Sequence, residues 1–141
     1  MAGEDRYRLG PVRETRERTE RIKRGELAAA VDDTREAVAQ VAALHARAAA
    51  VRGRLTAAVG TDGESARELA LVERYRSRLR GELAAIAGEL DRAEAVLADR
   101  TGVADTARGA LARARADREV IERHFARWRE TQRKIAERRE D

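Results

Sequence analysis

The stretch VGTDGES, residues 59–65, divides the chain into two unequal runs. Gly60 and Gly63 flank a Thr-Asp pair, a composition that suits a tight reversal. Ser65 followed three residues later by Glu68 is a capping-box signature for a new helix, with Asp62 as the alternative cap. The reversal is therefore expected at 60–64, with helix 1 over about 11–59 and helix 2 over about 65–139.

Beyond the turn, apolar residues recur in strict alternation of three and four. The positions are Leu69, Val72, Arg76, Leu79, Leu83, Ile86, Leu90, Ala93, Leu97, Arg100, Ala104, Ala107, Leu111, Ala114, Arg118, Ile121, Phe125, Trp128, Gln132 and Ile135. Sixteen of these twenty are apolar and the phase never breaks, so one continuous helix with a coiled-coil seam is expected. Gly81, Gly88, Gly102 and Gly109 lie inside it, each costing about 1 kcal/mol relative to Ala without shifting the phase. Before the turn, Leu27, Val31, Thr34, Val38 and Val41 keep the alternation, and Leu44, Ala48, Val51, Leu55 and Ala58 resume it after one extra three-residue step. That reads as a stammer. Further upstream Ile22 is alone in RETRERTERIKR, residues 13–24, where Glu14–Arg18, Glu17–Arg21 and Glu20–Arg24 are placed to support a helix by i,i+4 pairing. Gly10 and Pro11 suit its start.

Composition agrees. Ala supplies 30 of the 141 residues, and Leu, Ile, Val and Phe together only 26, too few for a thick core but enough for a narrow seam between two helices. Charge is abundant but mixed, 30 basic against 26 acidic residues for a net of +4. The expected fold is all-α: an antiparallel two-helix coiled-coil hairpin in a single elongated domain, about 70 Å long at 1.5 Å per residue. A symmetrical turn would set residue 12 opposite residue 114. Helix 2 would then project about 35–40 Å beyond its partner, carrying Ile121, Phe125, Trp128 and Ile135 with it. Either Tyr7, Leu9 and Val12 fold over the aromatic pair, or the projecting end is a docking helix with anchors at i, i+4, i+7 and i+14.

No catalytic constellation is legible. The two histidines, His45 and His124, fall far apart in a hairpin and read as solvent-facing residues; Ser65 and Ser77 have no activating base at helical spacing. There is no cysteine, no phosphate-binding glycine loop and no apolar run long enough to cross a bilayer. A non-enzymatic cytoplasmic protein without metal or cofactor is expected. Glu is repeatedly interposed among the basic residues, and residues 118–141 carry eight basic and six acidic side chains, so no nucleic-acid partner is expected. Arg76, Arg100 and Arg118 occupy seam positions from which their stems can reach solvent or fix the register. Leu71 and Tyr75, four apart and off the seam, form a ridge near the turn with Val72 and Leu79.

YRLGPVRETRER at the start, the glycine-containing turn, and VIERHFARWRETQRKIAERRED at the end together resemble the FliJ/YscO stalk proteins of type III export, flagellar and injectisome alike. The resemblance implies a helical hairpin acting as a central stalk, peripheral at the inner-membrane export apparatus. Its partners would be the hexameric export ATPase and the cytoplasmic ring of the export gate, a membrane protein, with export chaperones as a further class. On that reading Ile121, Arg123, Phe125, Arg127, Trp128, Arg129 and Ile135 would dock on the ATPase. Leu71, Val72, Tyr75 and Leu79 would dock on the gate. The alternatives are a self-associating coiled-coil scaffold and, less well matched to the charge pattern, a basic coiled coil on nucleic acid.

Overall fold

A computed structural model describes residues 6–140. It contains two helices, α1 (Gly10–Ala57) and α2 (Ala66–Glu140), joined by residues 58–65. Both bounds lie within two residues of those read from the caps, and α2 runs unbroken through its four interior glycines. The Ser65 hydroxyl accepts the Glu68 N–H at 3.2 Å while the Glu68 carboxylate accepts the Ser65 N–H at 2.7 Å, so the capping box forms as expected. Gly63 takes φ +97°, the one left-handed residue of the turn, where a side chain would be strained.

The chain divides into two packed units, each an antiparallel pairing of one α1 segment with one α2 segment. One unit comprises Met1–Val31 with Val103–Asp141, the other Asp32–Gly102. In the second, Leu79 is wholly buried among Ala48, Val51 and Ile86, with Leu55, Tyr75, Leu83 and Leu90 packed around them. Burying such aliphatic side chains supplies the main stabilisation of a two-helix seam, about 1.5–3 kcal/mol for each full-sized one. In the first unit, Ala30, Ala104, Leu111, Ala114 and Ile121 are buried, together with Tyr7 and Glu20.

The α2 stripe is the observed seam: of its twenty positions, only Leu69, Arg100 and Ile135 are exposed. In α1 the stammer is absent. The side chains that turn inward are Ala30, Ala37, Leu44, Ala48 and Val51, while Val38 is 50% exposed. Stepping through Ala30 and Ala37 instead of Val31 and Val38 restores an even three-four alternation, so two alanines win the seam over larger neighbours. A thin seam favours small residues there because they let the backbones approach. Ile22, the lone aliphatic upstream, also points outward, and the charged Glu20 sits inside.

The register differs from the expected one. Arg13 meets Glu122, Arg16 meets Asp117, Arg47 meets Glu89 and Arg54 meets Glu82. Each α1 residue therefore faces α2 about nine residues, or two and a half turns, beyond the partner that a symmetrical turn gives. The cause is the connector. It does not reverse flush with the helix ends but returns along the first turns of α2, where Gly60 comes so close that a Cβ would lie 2.7 Å from Leu69 Cδ2. The opening turns of α2 thus extend past the end of α1.

Candidate functional site

Two regions carry the residues singled out from the sequence, one in each unit. In the first unit they gather around Tyr7, which precedes α1. Pro11 lacks an N–H and keeps the residues before Gly10 from simply extending the helix, so Gly10 N–H bonds the Tyr7 carbonyl in a tighter turn at 3.1 Å. That turn aims the Tyr7 ring at α2. It lies 5.0 Å from Phe125 edge-to-face, 5.2 Å from Trp128 and 5.7 Å from His124, centroid to centroid. Its hydroxyl is hydrogen-bonded to His124 Nδ1 at 2.8 Å. His124 is exposed, as its position indicates, and is also partnered to Tyr7.

Phe125 is enclosed further. Trp128 stacks on it at 5.8 Å with an 18° interplanar angle, and the Arg13 guanidinium lies 4.1 Å from its ring centroid. Arg13 also holds Glu122 through two hydrogen bonds, 2.7 and 3.2 Å. This pairing holds the Glu122 carboxyl below the usual carboxylate range and raises the Arg13 guanidinium. Of the two fates open to the aromatic pair, Tyr7 covers it. Ile121 is buried beneath, whereas Arg123, Arg127 and Arg129 remain exposed and Ile135 is 37% exposed. Among the described residues, no hydrogen bond or ion pair joins the stretch after Arg129 to α1. The last hydrogen bonds from α1 reach Glu122, about nine residues farther along α2 than a symmetrical turn implies.

Deeper in this unit, Glu20 is a buried carboxylate inside the seam, paired to Arg118 from α2, to Arg24 at 2.8 Å and to Arg115 at 3.7 Å. Of the three helix pairs foreseen upstream, only Glu20–Arg24 forms; Glu17 turns back to Arg13. Arg118 stays partly solvated and answers Glu20 across the seam.

In the second unit, the four residues near the turn have different fates. Leu79 is the most buried side chain of the core, so any contact here has to run through its neighbours. Val72 and Tyr75 are half-buried, Tyr75 beneath the Arg78 guanidinium at 5.2 Å, and Leu71 is 56% exposed. Leu69 and Val59, at 47% and 65%, add to the exposed apolar surface. Val59 was not foreseen, since it lies in the connector and carries no periodicity. Arg76 turns across to α1, giving its guanidinium to the carbonyls of Leu55 and Ala58.

Among the described residues no group of three or more His, Asp or Glu is placed to hold a metal ion, and no helix is long and apolar enough to cross a membrane. No family model, curated protein or solved structure matches this chain.

Proposed function

We propose that this chain is a non-enzymatic helical scaffold that works through protein–protein association. The observation that carries the reading is the row Val59, Leu69 and Leu71, exposed beside half-buried Val72 and Tyr75. These side chains lie in water next to a seam already filled by Leu79, and covering them would gain about 25 cal/mol per Å². The charges around them are mixed: Glu64, Arg67, Glu68, Arg74 and Arg78. A second copy can meet such a surface without net like-charge repulsion, so self-association is the form this row favours. Sedimentation velocity over two decades of concentration tests it. The mass should rise with concentration, and Leu71→Glu should hold it at one chain while leaving helicity unchanged. A wild-type chain that stays monomeric throughout would sink the reading.

A second reading rests on the other unit. Ile135 is exposed on a stripe that outlasts α1, and Arg127, Arg138 and Arg139 have no ion-pair partner among the described residues. With the resemblance to FliJ/YscO proteins, this supports a stalk in which the end bearing Ile121, Phe125 and Trp128 docks in a hexameric export ATPase. The turn region would then meet the export gate, in the cytoplasm at the inner membrane. Adding the chain to the export ATPase of its own genome should raise ATP turnover, and Arg127→Glu with Ile135→Glu should abolish the increase. An ATPase indifferent to the wild-type chain would remove this reading and leave the first intact.

A further inference from the structure

Residues 6–9 are held to α2 by a single side chain. Tyr7 is 8% exposed, whereas Arg6, Arg8 and Leu9 are exposed, and among the described residues no hydrogen bond or ion pair ties those three side chains to α2. Tyr7 fills the place across from Phe125 and Trp128 that a helix fills elsewhere along the seam. Apart from that ring and its hydrogen bond, the segment is tied only to the first turn of α1, by Gly10 N–H to the Tyr7 carbonyl at 3.1 Å and Arg13 N–H to the Leu9 carbonyl at 2.9 Å, so the ring can leave α2 with at most that turn loosening.

The charges around this end indicate what would replace it. Each acid of α2 from Glu119 to Glu137 already has a cation: Glu119 has Arg123, Glu122 has Arg13, Glu130 has Lys134 and Glu137 has Arg133. Arg6, Arg8 and Arg127 have no ion pair among the described residues, and neither do Arg138 and Arg139 further along. Glu14 and Glu140 also have none, so the unanswered charge is basic on balance. A second copy would bring arginine against arginine here, whereas an apolar helix flanked by acids would bring complementary charge.

We propose that residues 6–9 are an autoinhibitory strap, closed in this structure, and that an amphipathic helix with acidic flanks docks on Phe125 and Trp128 by displacing Tyr7. The strap rests on the reading of this end as a docking end. It lowers the apparent affinity by the fraction of chains that are open. One buried ring with its hydrogen bond keeps that fraction at about 1–10%, so removing Tyr7 should tighten docking about 10- to 100-fold.

The test uses the full chain and a dye-labelled peptide of about three heptads, with Leu on its stripe and Glu on the flanks. A second peptide carries Lys on the flanks. Trp128, the only tryptophan, should emit blue and resist acrylamide in the wild type, then shift red in Tyr7→Ala with far-UV dichroism unchanged. Peptide anisotropy should show the Glu-flanked peptide binding Tyr7→Ala about 10- to 100-fold more tightly than wild type, and the Lys-flanked peptide binding neither. Arg8→Gly with Leu9→Gly keeps Tyr7 and only loosens the strap, so about a two- to fivefold gain is expected, and this variant decides if Tyr7→Ala loses helicity. Equal peptide affinity in wild type and variants overturns the strap, as does an unchanged Trp128 spectrum in Tyr7→Ala. Self-association of Tyr7→Ala without peptide binding overturns the acidic partner. An export ATPase that fails to respond bears on the docking reading alone, since the peptide experiment does not use it.

Discussion

The Arg76 guanidinium, on α2, donates to the Ala58 carbonyl just past the end of α1 at 2.7 Å, and to Leu55 at 3.3 Å. A charged residue at a seam position therefore serves as the C-cap of the opposite helix, satisfying carbonyls that have no helical donor. Arg76→Met keeps the apolar stem and removes the donor. It should cost about 1–2 kcal/mol in urea unfolding and speed amide exchange in the connector and the last turn of α1 more than elsewhere.

Glu20 places a carboxylate in the seam with three arginines around it. Glu20→Ala leaves those cations uncompensated, but Arg115 and Arg118 are partly solvated, so the loss should be about 1–3 kcal/mol and not the larger figure of a fully buried pair. Glu20→Leu with Arg118→Leu should recover most or all of it by thermal unfolding. A double variant as unstable as the single one would mean the pair itself, and not its burial, supplies the stability.

Acid should weaken the fold in a defined window. Glu122 is held below its ordinary value by Arg13, Glu68 by the Ser65 capping bonds and Glu130 by Lys134. A carboxyl depressed in the folded state contributes in full above the unfolded value, near 4.3 for glutamate, and loses that contribution as pH falls through the lower folded value. Urea midpoints should thus change little through these groups from neutrality down to about pH 5 and fall below it. In Glu122→Gln the midpoint should be lower at neutral pH, and part of the acid-dependent fall should be gone.

The glycines inside the helices offer the opposite sign. At Gly81 and Gly109 an added Cβ meets nothing within 4 Å. Gly81→Ala and Gly109→Ala should each stabilise by about 0.5–1 kcal/mol, additively because the sites lie in different units. Gly63→Ala should destabilise because of its left-handed φ. Thermal melts by far-UV dichroism would show all three.

Leu79→Ala should be the most damaging of the seam truncations, at about 2–5 kcal/mol, because among the described residues no other large side chain is as fully buried. A variant that melts within a few degrees of wild type would show that the seam closes around the vacancy.

The α2 seam was legible because its period is unbroken and its residues are mostly large. The α1 seam was legible except at two steps, where Val31 and Val38 stand next to Ala30 and Ala37; the larger ones looked like core residues, yet the helix spacing admitted the smaller. Glu20 was read only for its pairing with Arg24, which forms, and Arg118 for reaching solvent or fixing the register. Each alone is a polar residue on a stripe, and only their juxtaposition makes both inward-facing. Tyr7 was recognised as a candidate cover for Phe125 and Trp128, but its hydrogen bond to His124 depends on the register, which the symmetrical-turn assumption set about nine residues short.

By itself the sequence determined two long helices, their ends and the antiparallel reversal. Caps, turn glycines and apolar period are local properties, written within a few residues of where they act. What only the tertiary structure decided is which residues face each other. An eight-residue connector can reverse flush or climb back along the next helix. Beside the turn, the close approach of Gly60 to Leu69 goes with the pairing of Arg54 with Glu82 and of Arg47 with Glu89; in the other unit Arg13 meets Glu122, Glu20 meets Arg118 and Tyr7 meets the aromatic pair.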